Sequence, residues 1–335
     1  MMCTSLKQPR VIMKLASQRC FSSGIHFPHS KIPAKSQAHR FTLTLFDKLW
    51  EQYRQRVSYV NVYENIVAQH GASFVNDHVA FRTIQTQSPN MGIASIGRIF
   101  EALGYRAKEC YQFEDKHLNA IYFQHPEPLF PKIFVSEIRV YELSEKNRNR
   151  ILKSVSTHKS LLTDELLHSI HSLHTTRSTG LDNLLERALN CIQVVPWALP
   201  TLEDVQAVNE ESQYAAWVLV HGNNVNHFTA LINSHQVETL NDIEKTTRAL
   251  ATAGVPMKHS IEGERGSKLR QTATEAVTIE VPLMQQGKII NSPWTYAYFE
   301  LAQRDTFIGE GGHPYRYEGF MSHQATNLFE MTRGK

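Results

Sequence analysis

The chain has 335 residues, 41% of them hydrophobic and 20% charged, with a formal net charge of +3. That length suits about two globular domains, and the composition excludes a disordered or collagen-like chain. No apolar run approaches the roughly 20 residues a membrane-spanning helix needs, which argues against a transmembrane protein.

Charge is unevenly spread. Residues 1–40 carry Lys7, Arg10, Lys14, Arg19, Lys31, Lys35 and Arg40 and no acid, the first being Asp47. With its Ser, Pro and a basic amphipathic stretch over 11–19, this segment reads as an organelle transit peptide outside the fold, a disordered basic tail being the plainer alternative. Arg19-Cys20-Phe21-Ser22 is similar to a mitochondrial processing pattern, so a mitochondrial address is expected, with the plastid as the alternative. Removing the seven leader cations takes the formal charge from +3 to −4, so nucleic acid loses its electrostatic argument as a partner. Past the leader only Cys110 and Cys191 remain, without a CxxC pair, and neither a disulfide framework nor a cysteine zinc site is expected.

Over 41–70 the apolar positions Leu45, Phe46, Leu49, Trp50, Tyr53 and Val57, then Val62, Ile66 and Val67, recur at three and four, which predicts two amphipathic helices. After Gly71 the period becomes strand-like over 78–84, then helical over 93–103 up to Gly104. Strands are expected near 105–113, 120–124 and 132–141, so residues 41–144 hold the helices and a β-α-β-β-β unit. A Ser-, Leu- and His-rich stretch, 145–199, reads as a helical insertion. Within it His168, His171 and His174 recur every three residues, a spacing better explained by a solvated helix face than by a metal. In 200–335 a strand over 225–232, a helix over 237–253 stopping at Gly254, and strands over 257–261, 276–281 and 295–302 repeat the β-α-β-β-β order. The expected class is α+β with paired βαβββ modules.

Side chains alternate along a strand, so His78, Ala80 and Arg82 share one face while Val79, Phe81 and Thr83 take the other. His227 and Thr229 share a face in the second unit, and Glu300 follows Tyr298 and Tyr296 on the last strand. Two imidazoles and one carboxylate that leave coordination positions open form the facial arrangement suited to non-haem Fe(II). Taken singly, each residue has a plainer reading: His78 or His227 as a hydrogen-bonded strand histidine, Glu300 as an edge-strand charge, Arg82 as an ion-pair partner. No GxSxG, HExxH or cysteine-nucleophile motif competes.

Asp77-His78-Val79-Ala80-Phe81-Arg82-Thr83, Asn226-His227-Phe228-Thr229, Tyr298-Phe299-Glu300-Leu301-Ala302-Gln303-Arg304 and Tyr317-Glu318-Gly319-Phe320 together resemble the 2-oxoadipate dioxygenase/decarboxylase family over roughly residues 42–331. The resemblance implies a vicinal-oxygen-chelate-like curved sheet or barrel of paired βαβββ modules, with the N-terminal helical segment and helical insertion added. It implies Fe(II) held by His78, His227 and Glu300, a substrate carboxylate held by Arg82, and a further pocket residue at Gln271. The implied reaction converts 2-oxoadipate and O2 to 2-hydroxyglutarate and CO2, in lysine breakdown. Its partners are a small 2-oxo dicarboxylic acid and O2, with neither nucleic acid nor a membrane span. Another metal-dependent dioxygenase or lyase on the same scaffold, or a non-catalytic organellar binding protein, is the alternative.

Overall fold

The structure is a computed structural model that describes residues 28–309 and 311–321. Two helices come first, α1 (Gln37–Arg56) and α2 (Tyr59–Gln69). Ser36 caps α1 by accepting from the backbone N–H of His39, satisfying one of the donors a helix start leaves open. The sequence reading excluded residues 1–40 from the folded part. The structure instead buries His29, Ile32 and Ala38, and the backbone and side-chain donors of His29 both reach Asp47. Basic composition hid these contacts, because one carboxylate downstream suffices to anchor the segment. The rest of the expected leader, residues 1–27, lies outside the described residues.

The first module is β1 (Asn76–Gln85), α3 (Ile93–Ala102), β2 (Arg106–Phe113), β3 (Leu118–Gln124) and β4 (Lys132–Arg139). Helices α4 (Glu145–Val155), α5 (Asp164–Ser172) and α6 (Leu181–Gln193) form the insertion, but the helical run continues through α7 (Leu202–Glu211) and α8 (Gln213–His221). The expected end of the insertion at 199 therefore falls short. Helix α8 escaped because all eight residues from Tyr214 to His221 are buried, so it shows no polar face to set a period.

The second module holds β5 (Val225–Leu231), α9 (Ile243–Thr252), β6 (Leu269–Ala273), β7 (Thr278–Gln285), β8 (Lys288–Thr295) and β9 (Glu300–Arg304), followed by the short β10 (Thr306–Ile308) and β11 (Pro314–Arg316). One curled seven-stranded sheet runs β2-β3-β4-β1-β5-β9-β6, while β7 pairs with β8 and β10 with β11 outside it. Strand β1 is parallel to β4, and β5 is parallel to β9, with β1 and β5 antiparallel at the junction of the modules. Each module thus reaches its second central strand by a crossover, which is the paired βαβββ arrangement. The strand expected over 257–261 survives only as isolated bridges, Met257 to Thr274 and Glu262 to Gln271, and the place beside β9 is taken by β6.

On the face of β5 opposite His227, Phe228 packs edge-on against Trp50 at 5.1 Å and tilted against Tyr53 at 5.2 Å, both from α1. The Tyr53 hydroxyl donates to the carbonyl of Tyr298. The N-terminal helix thereby fixes both β5 and the approach to β9, whose other faces carry the polar residues. Among the described residues no helix is long and apolar enough to cross a membrane.

Candidate metal centre

Strand register explains why three distant residues meet. His78 on β1 lies opposite Thr229 on β5, and Thr229 lies opposite Glu300 on β9, so one row crosses the junction of the modules. His227 stands two residues from Thr229 and therefore on the same face. The result places His78 Nε2 and His227 Nε2 3.3 Å apart, and each 3.5 Å from a different oxygen of Glu300. Among the described residues this is the group of three His, Cys, Asp or Glu able to hold a metal ion, and all three are buried.

The surrounding hydrogen bonds set the direction of each donor. Asp77 Oδ2 lies 2.9 Å from His78 Nδ1, and Asn226 Oδ1 lies 3.0 Å from His227 Nδ1. An oxygen acceptor at Nδ1 requires the proton there, which turns both Nε2 lone pairs toward the centre. The amide of Gln271 donates to Glu300 Oε1 at 2.6 Å, whereas Glu300 Oε2 is buried with no hydrogen-bond partner. The Thr229 hydroxyl, 3.0 Å from His78 Nε2, can meet one of these lone pairs, but the His227 Nε2 lone pair still faces the orphaned carboxylate oxygen, and a cation among them removes the conflict. The donor set of two imidazole nitrogens and one carboxylate fits a first-row divalent metal.

Electrostatics agree. Burial pushes the Glu300 carboxyl up to about 8, against the hydrogen bond from Gln271. Burial likewise pushes His78 down, and burial together with the neighbouring His78 holds His227 well below the ordinary imidazole range. Burial pushes the Asp77 carboxyl up, but Arg304 and Lys132 outweigh it and hold the group well below the usual carboxylate range. Arg304 grips Asp77 with Nε at 2.6 Å and Nη2 at 2.8 Å, a bidentate buried pair. Its Nη1 donates to the carbonyls of Tyr317 and Gly319 at 3.2 and 2.7 Å, and Lys132 pairs with Glu318. Phe320 is thereby laid edge-on over the His78 ring at 5.0 Å.

A measurable pH dependence follows from the Glu300 shift. A carboxyl that titrates higher in the folded chain than in the unfolded one binds its proton more tightly when folded, so its contribution to stability falls as pH rises from about 4.5 through about 8. A divalent cation holding the ionised form cancels that fall and competes with fewer protons at the upper end. Added divalent metal is expected to raise Tm more at pH 8 than at pH 6. Equal shifts at both values would show that the cation binds elsewhere.

The five expected site residues, His78, Arg82, His227, Gln271 and Glu300, line one pocket, together with Phe134, Ser136, Tyr298 and Phe320, with about 460 Å³ of empty space that includes its open mouth. Arg82 is buried in its wall, and burial lowers the pKa of its guanidinium. Gln271 sits on β6, a strand the sequence reading missed, and its amide grips Glu300. The sequence reading gave no role to Asp77, Asn226 or Arg304. One signal was present: each candidate histidine directly follows an Asp or Asn, the same pairing in both modules. His174 belongs elsewhere, with Nε2 3.0 Å from the carbonyl of Ala102.

Comparison with known proteins places the chain in a family. A 2-oxoadipate dioxygenase/decarboxylase, chloroplastic/amyloplastic, of Oryza sativa subsp. japonica is 26% identical over 293 residues, 81% of this chain and 72% of the relative. The fold is similar to that of the hydroxyglutarate synthase from Oryza sativa crystallised in complex with 2-oxoadipate, with a TM-score of 0.71, 24% identity, and 95% of this chain and 98% of that one covered. It is also similar to a structure from Ralstonia eutropha JMP134 described within the glyoxalase superfamily, with a TM-score of 0.72, 23% identity, and 81% and 84% covered. The sequence profile of one family matches residues 45–332, taking in both modules, the insertion and all five candidate site residues, and the chain belongs to the 2-oxoadipate dioxygenase/decarboxylase family.

Proposed function

We propose that this chain is an Fe(II)-dependent dioxygenase that converts 2-oxoadipate and O2 to 2-hydroxyglutarate and CO2, with His78, His227 and Glu300 holding the metal. The observation that carries the reading is the convergence of two imidazole Nε2 atoms and an unpartnered buried carboxylate oxygen beside a buried guanidinium, in a chain of this family. Bound Fe(II) supplies open positions for a 2-oxo acid and O2 and the electrons that start O2 reduction. The reaction balances without a second cosubstrate. The carboxylate next to the keto group leaves as CO2, one oxygen atom enters the new carboxylate at the former keto carbon, and the other becomes the hydroxyl on the neighbouring carbon.

The protein's own groups orient and exclude. Asp77 and Asn226 keep the imidazole protons on Nδ1, and Gln271 holds one oxygen of Glu300 so that the other faces inward. Arg82, from the same strand as His78, takes the far carboxylate of the diacid in a two-pronged pair. Phe134, Tyr298 and Phe320 line the space between and exclude water from the reacting carbons. Fe(II)-loaded protein given 2-oxoadipate and then air is expected to release CO2 and 2-hydroxyglutarate in equal amounts. A different product, or none at full iron occupancy, would refute the assignment. Arg82→Lys is expected to raise KM for 2-oxoadipate by about tenfold or more, since an ammonium cannot reproduce the fork. An unchanged KM would remove Arg82 from substrate binding. The name of the rice relative favours the plastid alternative, and nothing in these relatives supports the mitochondrial expectation.

A further inference from the structure

The guanidinium of Arg82 lies 4.9 Å from the ring centroid of Tyr214 and 5.3 Å from that of Trp217. Both rings come from α8, outside the two modules, and their spacing of three residues puts them on one helix face. Each is pinned independently. The Tyr214 hydroxyl is 2.8 Å from Ser136 Oγ, and Ser136 is the residue of β4 that lies opposite Arg82. The Trp217 indole N–H donates to the carbonyl of Tyr296 at 2.6 Å. All four side chains are buried or nearly so, and Ser212 caps the start of α8 at the Ala215 N–H.

A buried guanidinium loses its hydration and needs compensation. Aromatic faces give it through the plane of the cation, which leaves recognition of a carboxylate to the N–H groups along its edge. The chemistry of the platform therefore matches a residue that must stay charged, stay in place and still accept an anion.

We propose that Tyr214 and Trp217 are positioning residues that hold the Arg82 fork and so set the preference of the site for 2-oxo diacids over 2-oxo monoacids. The proposal rests on the reading of Arg82 as partner of the far carboxylate. It assigns substrate selection partly to the helical run between the modules, whose aromatic pair aims a side chain that a strand supplies.

The test compares 2-oxoadipate with 2-oxohexanoate, which has the same six carbons and no second carboxylate. Dissociation constants are measured by calorimetry without O2 on the Fe(II)-loaded full chain, and KM and kcat in air, with iron content determined for every variant. Arg82→Leu is expected to collapse the ratio of the two constants; if that variant keeps the ratio, the reading of Arg82 fails and the proposal with it. Given the collapse, Tyr214→Leu and Trp217→Leu are each expected to lower the ratio by about tenfold through the KM of the diacid, the factor of a desolvated cation–π contact. Tyr214→Phe keeps the ring and is expected to hold the ratio within about twofold. If both leucine variants keep the parental ratio at full iron occupancy, Arg82 binds the diacid without its platform and the proposal is wrong. Tyr214→Met or Trp217→Met, whose unbranched side chain fills an irregular gap, replaces the leucine variant at the same position if that variant does not fold.

Discussion

Glu300→Gln is expected to abolish iron binding and CO2 release together while making the metal-free protein more stable at pH 8. The opposing signs come from one atom. Glu300 Oε2 is buried without a partner and burial pushes the carboxyl up to about 8, so at that pH the metal-free fold carries a charge that the Gln271 and Thr229 side chains compensate only in part. A neutral amide removes this cost, on the order of a few kcal/mol, and Gln271 can still donate to the remaining oxygen. The same change removes the negative donor of the trio. Loss of a residue that merely orients a ligand costs about 10–100-fold in metal affinity, so loss of the donor itself is expected to exceed about 100-fold. Iron content, CO2 yield and Tm of the apo-protein decide it. Iron held within tenfold of the parent would remove Glu300 from the metal site, and an unchanged apo Tm would mean that its buried oxygen is compensated. His227→Ala is expected to match it in iron and CO2 loss.

The second large effect is expected at Arg304. Its side chain is fully buried, and it joins Asp77, which orients His78, to the carbonyls of Tyr317 and Gly319, which carry Phe320 over the His78 ring. Arg304→Met leaves the Asp77 carboxylate buried with Lys132 3.9 Å away as its remaining cation. Breaking such a pair on one side costs about 3–5 kcal/mol, and iron affinity is expected to drop about 10–100-fold because Asp77, which orients the His78 ring, loses its own anchor. The double variant Asp77→Leu with Arg304→Met separates the two effects. It is expected to regain much of the stability, as buried ion pairs replaced on both sides often do, and none of the iron affinity. If the single variant binds iron as tightly as the parent, the buried network is structural only.

Much of the site was legible because its strands announce themselves. Residues 78–84 and 225–232 alternate or run apolar, and the polar members of that pattern are the ones that converge. Strand β6 stayed hidden because Leu269-Arg270-Gln271-Thr272-Ala273 is mostly polar, yet all five residues are buried by the site and its ion pairs. Propensity alone cannot reveal a strand whose burial is secured by function. The strand expected over 276–281 is the start of β7, but its hairpin partner β8 was missed for a local reason. Gln286 and Gly287 both take positive φ, 49° and 74°, the tight turn that brings Gln285 opposite Lys288, and a Gln before Gly is a weak sequence sign of it. The 295–302 reading likewise began its strand too early: residues 296–299 lie outside the ladder and β9 starts at Glu300.

Strands β1 and β5 are hydrogen-bonded neighbours although the whole insertion separates them along the chain. The two imidazoles thus belong to halves of the chain that a ribosome makes one after the other. A nascent chain with only its first half in place offers His78 alone of the three candidate donors. Completion of the sheet is then what brings the three donors together.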